Sequence, residues 1–141
     1  MRKPDYTRRV VVTGLGVISP VGNDKATAWS NLVNGKSGLG ELSRFDTSGY
    51  DHHWGGEVKD FEAAAWMEPK AVRRSEREMH YGVAAAKQAL ADSGFEITDE
   101  NRYDVGVVYG SGGGVFSVAE RSTPFLTRAA GEKLQILGRP S

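Results

Sequence analysis

Two runs of consecutive apolar residues predict buried β-strands in this chain. The first covers residues 9–13 and is followed by Gly14, and the second covers residues 104–110. Neither run alternates with polar residues, and unbroken apolar runs are typical of strands that are covered on both faces of a parallel sheet. The pattern therefore predicts an α/β domain with at least two such strands.

A helical period of apolar residues follows the first run. Asp24 is suited to cap this helix because a short carboxylate accepts the free N–H groups of a first helical turn. Gly35 after Asn34 is suited to end it, since glycine readily takes the left-handed conformation beyond a helix. The apolar positions that share one face of this helix are Ala26, Trp29, Leu32 and Val33.

The second predicted helix covers residues 79–90 and ends at Ser93 and Gly94. Its apolar positions recur at helical spacing, and small residues between them allow another element to approach closely. The apolar positions are Met79, Val83, Ala86 and Leu90, and the small residues are Gly82, Ala84, Ala85 and Ala89.

Weaker patterns predict four further elements. They are a short strand around Glu57 and Val58, a helical turn over residues 62–67, a segment with Pro69 in its first turn, and a helix over residues 115–130 interrupted at Pro124. The alternation of strands and helices implies a mostly parallel sheet with right-handed crossovers. The fold class is therefore predicted to be α/β.

Composition excludes several classes of function. Lys plus Arg and Asp plus Glu both number 18 among the 141 residues, so the formal net charge is zero and a general nucleic-acid binder is not expected. The apolar runs are much shorter than the roughly 18–20 residues of a membrane-spanning helix. The polar residues 1–6 do not resemble a signal peptide, and a cytoplasmic location without membrane attachment is expected.

The absence of cysteine limits the chemistry of the chain. With no cysteine among the 141 residues, disulfides, thiolate metal sites and cysteine catalysis within this chain are excluded. His52 and His53 are neighbours that point to opposite faces of an extended segment, so they are interpreted as loop residues and not as metal ligands. His80 is interpreted as a helix-surface or boundary residue. No metal and no cofactor are expected.

The glycine-rich loops do not fit the common nucleotide-binding motifs. A dinucleotide-binding loop needs a third glycine, but Ser19 and Val115 occupy that position after the two glycine pairs. The sequence Gly-Lys-Ser at residues 35–37 lacks the earlier glycine of a phosphate-binding loop, where Ser30 stands instead. A nucleotide-binding domain is kept only as a remote alternative.

Several blocks in order along the chain resemble the type II β-ketoacyl-acyl-carrier-protein synthases. The longest is the sequence RRVVVTGLGVISPVGN at residues 8–23. The others are Trp29 and Leu32, residues 35–38, 45–48, 58–61 and 89–94, and the strand and loop at 106–114. Each block alone is weak, whereas the ordered set is specific. The resemblance covers residues 8 to about 114, so residues 8–141 are interpreted as an incomplete N-terminal synthase region after a polar tail at residues 1–7.

The resemblance implies a thiolase-like layered fold and a decarboxylative Claisen condensation. In this family an acyl group is carried on a cysteine, and malonyl-carrier protein loses carbon dioxide to give the carbanion that attacks the thioester. The family's cysteine and its two histidine partners lie beyond the matched region, so no catalytic residue is assigned here. The chain is expected to be a part of such an enzyme, inactive alone, and to expose apolar surface and self-associate.

Two non-catalytic sites follow from the resemblance. Residues 70–74, called the basic segment below, match a stretch that faces the acidic acyl carrier protein in the family, which assigns carrier binding to Lys70, Arg73 and Arg74. Their alternative role is a solvated helix face. The glycine loop Gly112, Gly113 and Gly114 matches the acyl pocket, where Gly113 replaces a bulkier residue, and its alternative role is a simple turn.

The resemblance leaves the state of assembly open. A homodimer, or a heterodimer with a condensing-enzyme subunit, is expected in the full-length form. A non-catalytic partner that binds carrier protein or dimerises with an active synthase remains the main alternative function.

Overall fold

The computed structural model describes Thr7 and residues 9–112. The chain divides into two units, Met1–Val108 and Tyr109–Ser141. The described part of the first unit contains, in order, α1 (Lys25–Val33), β1 (Leu39–Glu41), β2 (Trp54–Gly56), a 3-10 turn (Ala63–Ala65), α2 (Pro69–Val72) and α3 (Arg77–Ser93). The described residues of the second unit, 109–112, have no regular secondary structure.

Helix α1 begins and ends where the sequence predicts. The Asp24 carboxylate accepts a hydrogen bond of 2.8 Å from the Thr27 amide, and this bond holds the pKa of Asp24 below its ordinary value. At the other end Gly35 has a φ of +66°, a conformation that glycine adopts without a steric cost. Both boundary predictions are therefore confirmed.

Helix α1 buries Ala28 and exposes its apolar face. Ala28 is 4% exposed, whereas Trp29 and Leu32 are 67% and 58% exposed. The loop before the helix packs on the Ala28 side so closely that a Cβ at Gly22 would lie 2.6 Å from the Ala28 nitrogen. The face that carries Trp29, Leu32 and Val33 is therefore exposed within the described residues.

Helix α3 is confirmed and is longer than predicted, at 17 residues. Gly94 ends it in the left-handed conformation with a φ of 65°. Ala84 is fully buried. The small side of α3 lies against the loop that follows the first apolar run, because a Cβ on Gly16 would overlap the Ala85 carbonyl oxygen. The predicted close approach to the small residues is therefore present.

The two strongest strand predictions are not realised in the described residues. Residues 9–13 and 104–110 form no strand, and Val10 and Val108 are 96% and 101% exposed. A strand exists only when a neighbour completes its backbone hydrogen bonds, and neither run has such a neighbour here. The mostly parallel sheet therefore stays a prediction.

The sheet that is present is a short antiparallel pair. Strands β1 and β2 align Leu39 with Gly56 and Glu41 with Trp54. The predicted strand around Glu57 and Val58 thus lies slightly earlier in the chain. The helical turn at Ala63–Ala65 and the place of Pro69 in the first turn of α2 are confirmed.

The predicted helix over residues 115–130 lies outside the described residues. None of the helices that are described is long and apolar enough to cross a membrane.

Candidate functional site

The loop that follows the first apolar run is fastened to α3 by side chains. The Leu15 amide donates to Asp92 and the Val17 amide donates to Gln88, both at 3.0 Å. Asp92 also pairs with Lys25 at the start of α1. The hydrogen bond from Lys25 is the main reason that the pKa of Asp92 is lowered. Gln88 and Asp92 are four residues apart and share one face of α3, so together they replace backbone partners that the loop lacks.

The basic segment lies on and just after α2, with its three predicted site residues exposed to solvent. Arg73 ends the helix in a right-handed helical conformation, and its amide bonds to the Pro69 carbonyl at 3.2 Å. The Arg74 amide bonds to the Ala71 carbonyl at 3.0 Å. Residues separated by three and four positions in a helical segment share one face, so Lys70, Arg73 and Arg74 form a single cationic surface.

The three cations of this surface are available to a partner. Within the described residues, ion pairs involve Lys25 with Asp92 and Arg102 with Asp99, and none involves a cation of the basic segment. An unpaired and exposed set of like charges attracts an acidic molecule over a distance set by the ionic strength. The geometry therefore suits a negatively charged partner surface.

His80, to which the sequence assigns no function, contacts the basic segment. His80, half-buried in the first turn of α3, places Nε2 3.2 Å from the Val72 carbonyl oxygen and 3.1 Å from Ser75 Oγ. The intermediate burial of His80 on α3 agrees with its interpretation as a helix-surface or boundary residue. The bond joins residues eight positions apart across a turn, and no simple spacing rule identifies it from the sequence.

The glycine loop is described only in part. Gly112 is exposed, and a Cβ added to it would meet no atom within 4 Å. Gly113 and Gly114 lie outside the described residues. The acyl-pocket assignment of all three residues therefore remains a prediction.

The described residues of the first unit also line open cavities, among them these two. One, of about 340 Å³, lies between the loop before α1 and residues 59–60, where Asn23 donates to the Lys59 carbonyl at 2.7 Å. The other, of about 290 Å³, lies where Arg44 bonds to Tyr81 at 3.0 Å. No residue of the basic segment or the glycine loop lines either cavity.

Comparison with known proteins identifies the family. Residues 7–135 match the family described as Beta-ketoacyl synthase, N-terminal domain. The chain is 41% identical over 134 residues to 3-oxoacyl-[acyl-carrier-protein] synthase 2 of Vibrio harveyi, covering 95% of this chain and 32% of the relative. It is 42% identical over 113 residues to the synthase of the same name from Synechocystis sp., covering 80% of this chain and 27% of the relative.

A solved structure supports the same assignment. The ishigamide ketosynthase/chain length factor aligns with a TM-score of 0.67 and 34% identity, covering 89% of this chain and 31% of that chain. The fold is accordingly of the thiolase-like α/β type, and the matches give no support to a nucleotide-binding domain. The chain spans about a third of the length of the curated relatives it matches. It belongs to the β-ketoacyl synthase family, of which it carries the N-terminal domain.

Proposed function

We propose that this chain supplies the N-terminal part of a 3-oxoacyl-acyl-carrier-protein synthase. The observation that carries the proposal is the match over residues 7–135, together with about 40% identity to synthases of that name. The reaction is the decarboxylative condensation of an acyl thioester with malonyl-carrier protein. It needs a thiol nucleophile and donors for the developing oxyanion.

The reactive thiol of this reaction comes from outside residues 1–141, since they contain no cysteine. The contribution of this chain is scaffold and partner recognition. We also infer that the exposed run Val10–Val12 becomes a strand of a mostly parallel sheet when the remainder of the fold is present. The exposure of all three valines, 72% or more, supports this inference.

The acidic acyl carrier protein is the partner that we assign to the basic segment. Support comes from the exposure of Lys70, Arg73 and Arg74 on one face and from the absence of ion pairs to them within the described residues. A fixed cationic surface orients an acidic partner and raises its rate of association. The full-length protein is proposed to act as a dimer, with a second copy or with a related condensing-enzyme subunit.

Charge reversal at the basic segment tests the assignment of the partner. In the Arg73→Glu, Arg74→Glu variant we expect carrier-protein binding to weaken by at least about tenfold at low ionic strength, because attraction becomes repulsion. Binding of the unaltered chain is expected to weaken as salt is added. Fluorescence anisotropy of a labelled carrier protein measures both effects.

Exposed arginines elsewhere provide the control. Arg102, which pairs with Asp99 at 3.3 Å, lies outside the basic segment, and Arg102→Glu is expected to leave carrier affinity almost unchanged. Equal affinity of the double variant and the unaltered chain would contradict the assignment of the partner.

A further inference from the structure

We propose that His80 is a positioning residue for the basic segment. Its imidazole holds the end of α2 in the conformation that presents Arg73 and Arg74 to the acidic partner. This inference rests on the proposed function for the identity of the partner, whereas the positioning itself concerns only bonds within this chain.

The hydrogen bonds around His80 define which ring nitrogen carries the proton. Ser75 Oγ donates its single proton to the Ala71 carbonyl at 2.7 Å, so it can only accept from the imidazole. The Val72 carbonyl, 3.2 Å from Nε2, is also an acceptor. Both contacts therefore require an N–H at Nε2, which is shared between the two oxygens.

The resulting network closes the end of α2. Helix α2 has only four residues, and a helix that short has no stability of its own in water. The carbonyls of Ala71 and Val72 lie at its last turn, and both belong to the network of His80 and Ser75. His80 itself belongs to the 17-residue helix α3, so the short helix is anchored to a long one.

The position of the network explains why it matters for binding. Ala71 and Val72 lie between Lys70 and Arg73, so the carbonyls held by Ser75 and His80 belong to the backbone that carries the cationic side chains. A flexible segment pays an ordering cost when it docks, and a preformed one does not. His80 touches no partner atom in this account and acts by reducing that cost.

Two variants of His80 separate positioning from general stability. His80→Leu removes the donor, while His80→Gln retains an amide N–H that can reach the same carbonyl. His52→Leu, at an exposed loop histidine, is the control. The first measurement is hydrogen exchange of the amides of residues 70–75 in the full 141-residue chain. The second is carrier-protein affinity by fluorescence anisotropy.

We expect His80→Leu to speed exchange across residues 70–75 and to weaken carrier binding, each by roughly three- to tenfold, the range of one net hydrogen bond. His80→Gln should recover most of both losses, and His52→Leu should show neither. In a background with Arg73 and Arg74 replaced by Gln, His80→Leu should weaken carrier binding no further, because the coupled charges are gone. A loss of fold alone would not give that dependence.

Other results would overturn either the positioning role of His80 or the proposed function. Unchanged exchange at residues 70–75 in His80→Leu overturns the positioning role, as does a binding loss that persists without the two arginines. If the unaltered chain does not bind carrier protein, the proposed function fails, and the exchange measurement still tests the positioning role. If His80→Leu does not fold, Ser75→Ala removes the acceptor hydroxyl and must speed the same exchange for the inference to hold.

Discussion

Single residues determine where the helices of this chain begin and end, and those positions were predictable. Asp24 caps α1. Gly35 and Gly94 follow the ends of α1 and α3 and have positive φ values. Each signal depends on the residue itself and on its immediate neighbours. Such local chemistry is readable from sequence because no distant segment has to be placed first.

Other residues act over long separations, and their roles were not predictable. Gln88 and Asp92 bond to amides 71 and 77 positions away. His80 crosses a turn to reach the Val72 carbonyl at the end of another helix. The sequence contains only a faint trace of the first arrangement, namely two polar residues four positions apart on an otherwise small-residue face of α3.

At Gly16 a side chain is excluded by the backbone of α3. Gly16→Ala is expected to destabilise the fold by about 1–3 kcal/mol, the usual cost of overpacking, because the new Cβ overlaps the Ala85 carbonyl oxygen. Urea denaturation followed by circular dichroism measures the change. Gly49→Ala is the matched control, since a Cβ at that position meets nothing within 4 Å. Equal stability of both variants would contradict the packing described here.

At the scale of elements, the helices were predictable and the strands were not. Helices α1 and α3 satisfy their backbone groups internally, so their periodicity and caps suffice to identify them. The apolar runs at residues 9–13 and 104–110 need neighbouring strands to complete their hydrogen bonds. The strands predicted for these runs therefore stay a prediction, because the described residues contain no partner strand for either run.

The contact between α3 and the loop that contains Leu15 and Val17 is sensitive to acid. Because the pKa of Asp92 is lowered in the folded chain, its carboxylate contributes stability at neutral pH. That contribution is lost as the pH falls below about 3.9, the ordinary value of an aspartate, toward the lower folded value. We expect Asp92→Asn to be less stable than the unaltered chain at pH 7, with a difference that shrinks as the pH falls below about 4.

Free energies of unfolding from urea titrations at several pH values check this expectation. Asp99→Asn is a suitable control, because the side chain of Asp99 is 96% exposed in its ion pair. A stability difference for Asp92→Asn that stays constant over the acid range would rule out the described role of Asp92.

The exposed apolar face of α1 is expected to affect self-association more than stability. Since Leu32 is 58% exposed, Leu32→Ser should change the free energy of unfolding by no more than about 0.5 kcal/mol. The same substitution should reduce self-association, which exposed apolar patches promote. Sedimentation velocity at several concentrations measures the association. A large loss of stability in Leu32→Ser would mean that the face is covered.

At the scale of the whole molecule, the described residues bury few apolar side chains. Ala28 and Ala84 are the buried hydrophobic residues among them, while Val10, Val11 and Val12 are largely exposed. A thiolase-like fold is a layered structure whose sheets are covered on both sides. The chain spans about a third of the length of its relatives. We infer that the rest of the fold covers these exposed apolar side chains.

The family could be inferred from sequence because it depends on ordered blocks of residues and not on their packing. The ordered set of blocks between residues 8 and 114 carried that inference, and the match over residues 7–135 agrees with it. The acyl-pocket assignment of Gly112, Gly113 and Gly114 stays a prediction, because the described residues include only the first of them. No catalytic residue could be assigned from the sequence, which contains no cysteine.

A chimeric synthase tests the central claim most directly. Residues 7–135 of this chain would replace the matching part of the 41% identical synthase of Vibrio harveyi, and formation of 3-oxoacyl-carrier protein from acyl- and malonyl-carrier protein would be measured. We expect product from the chimera and none from the 141-residue chain alone. A folded chimera that forms no product, or turnover by the chain alone, would contradict it.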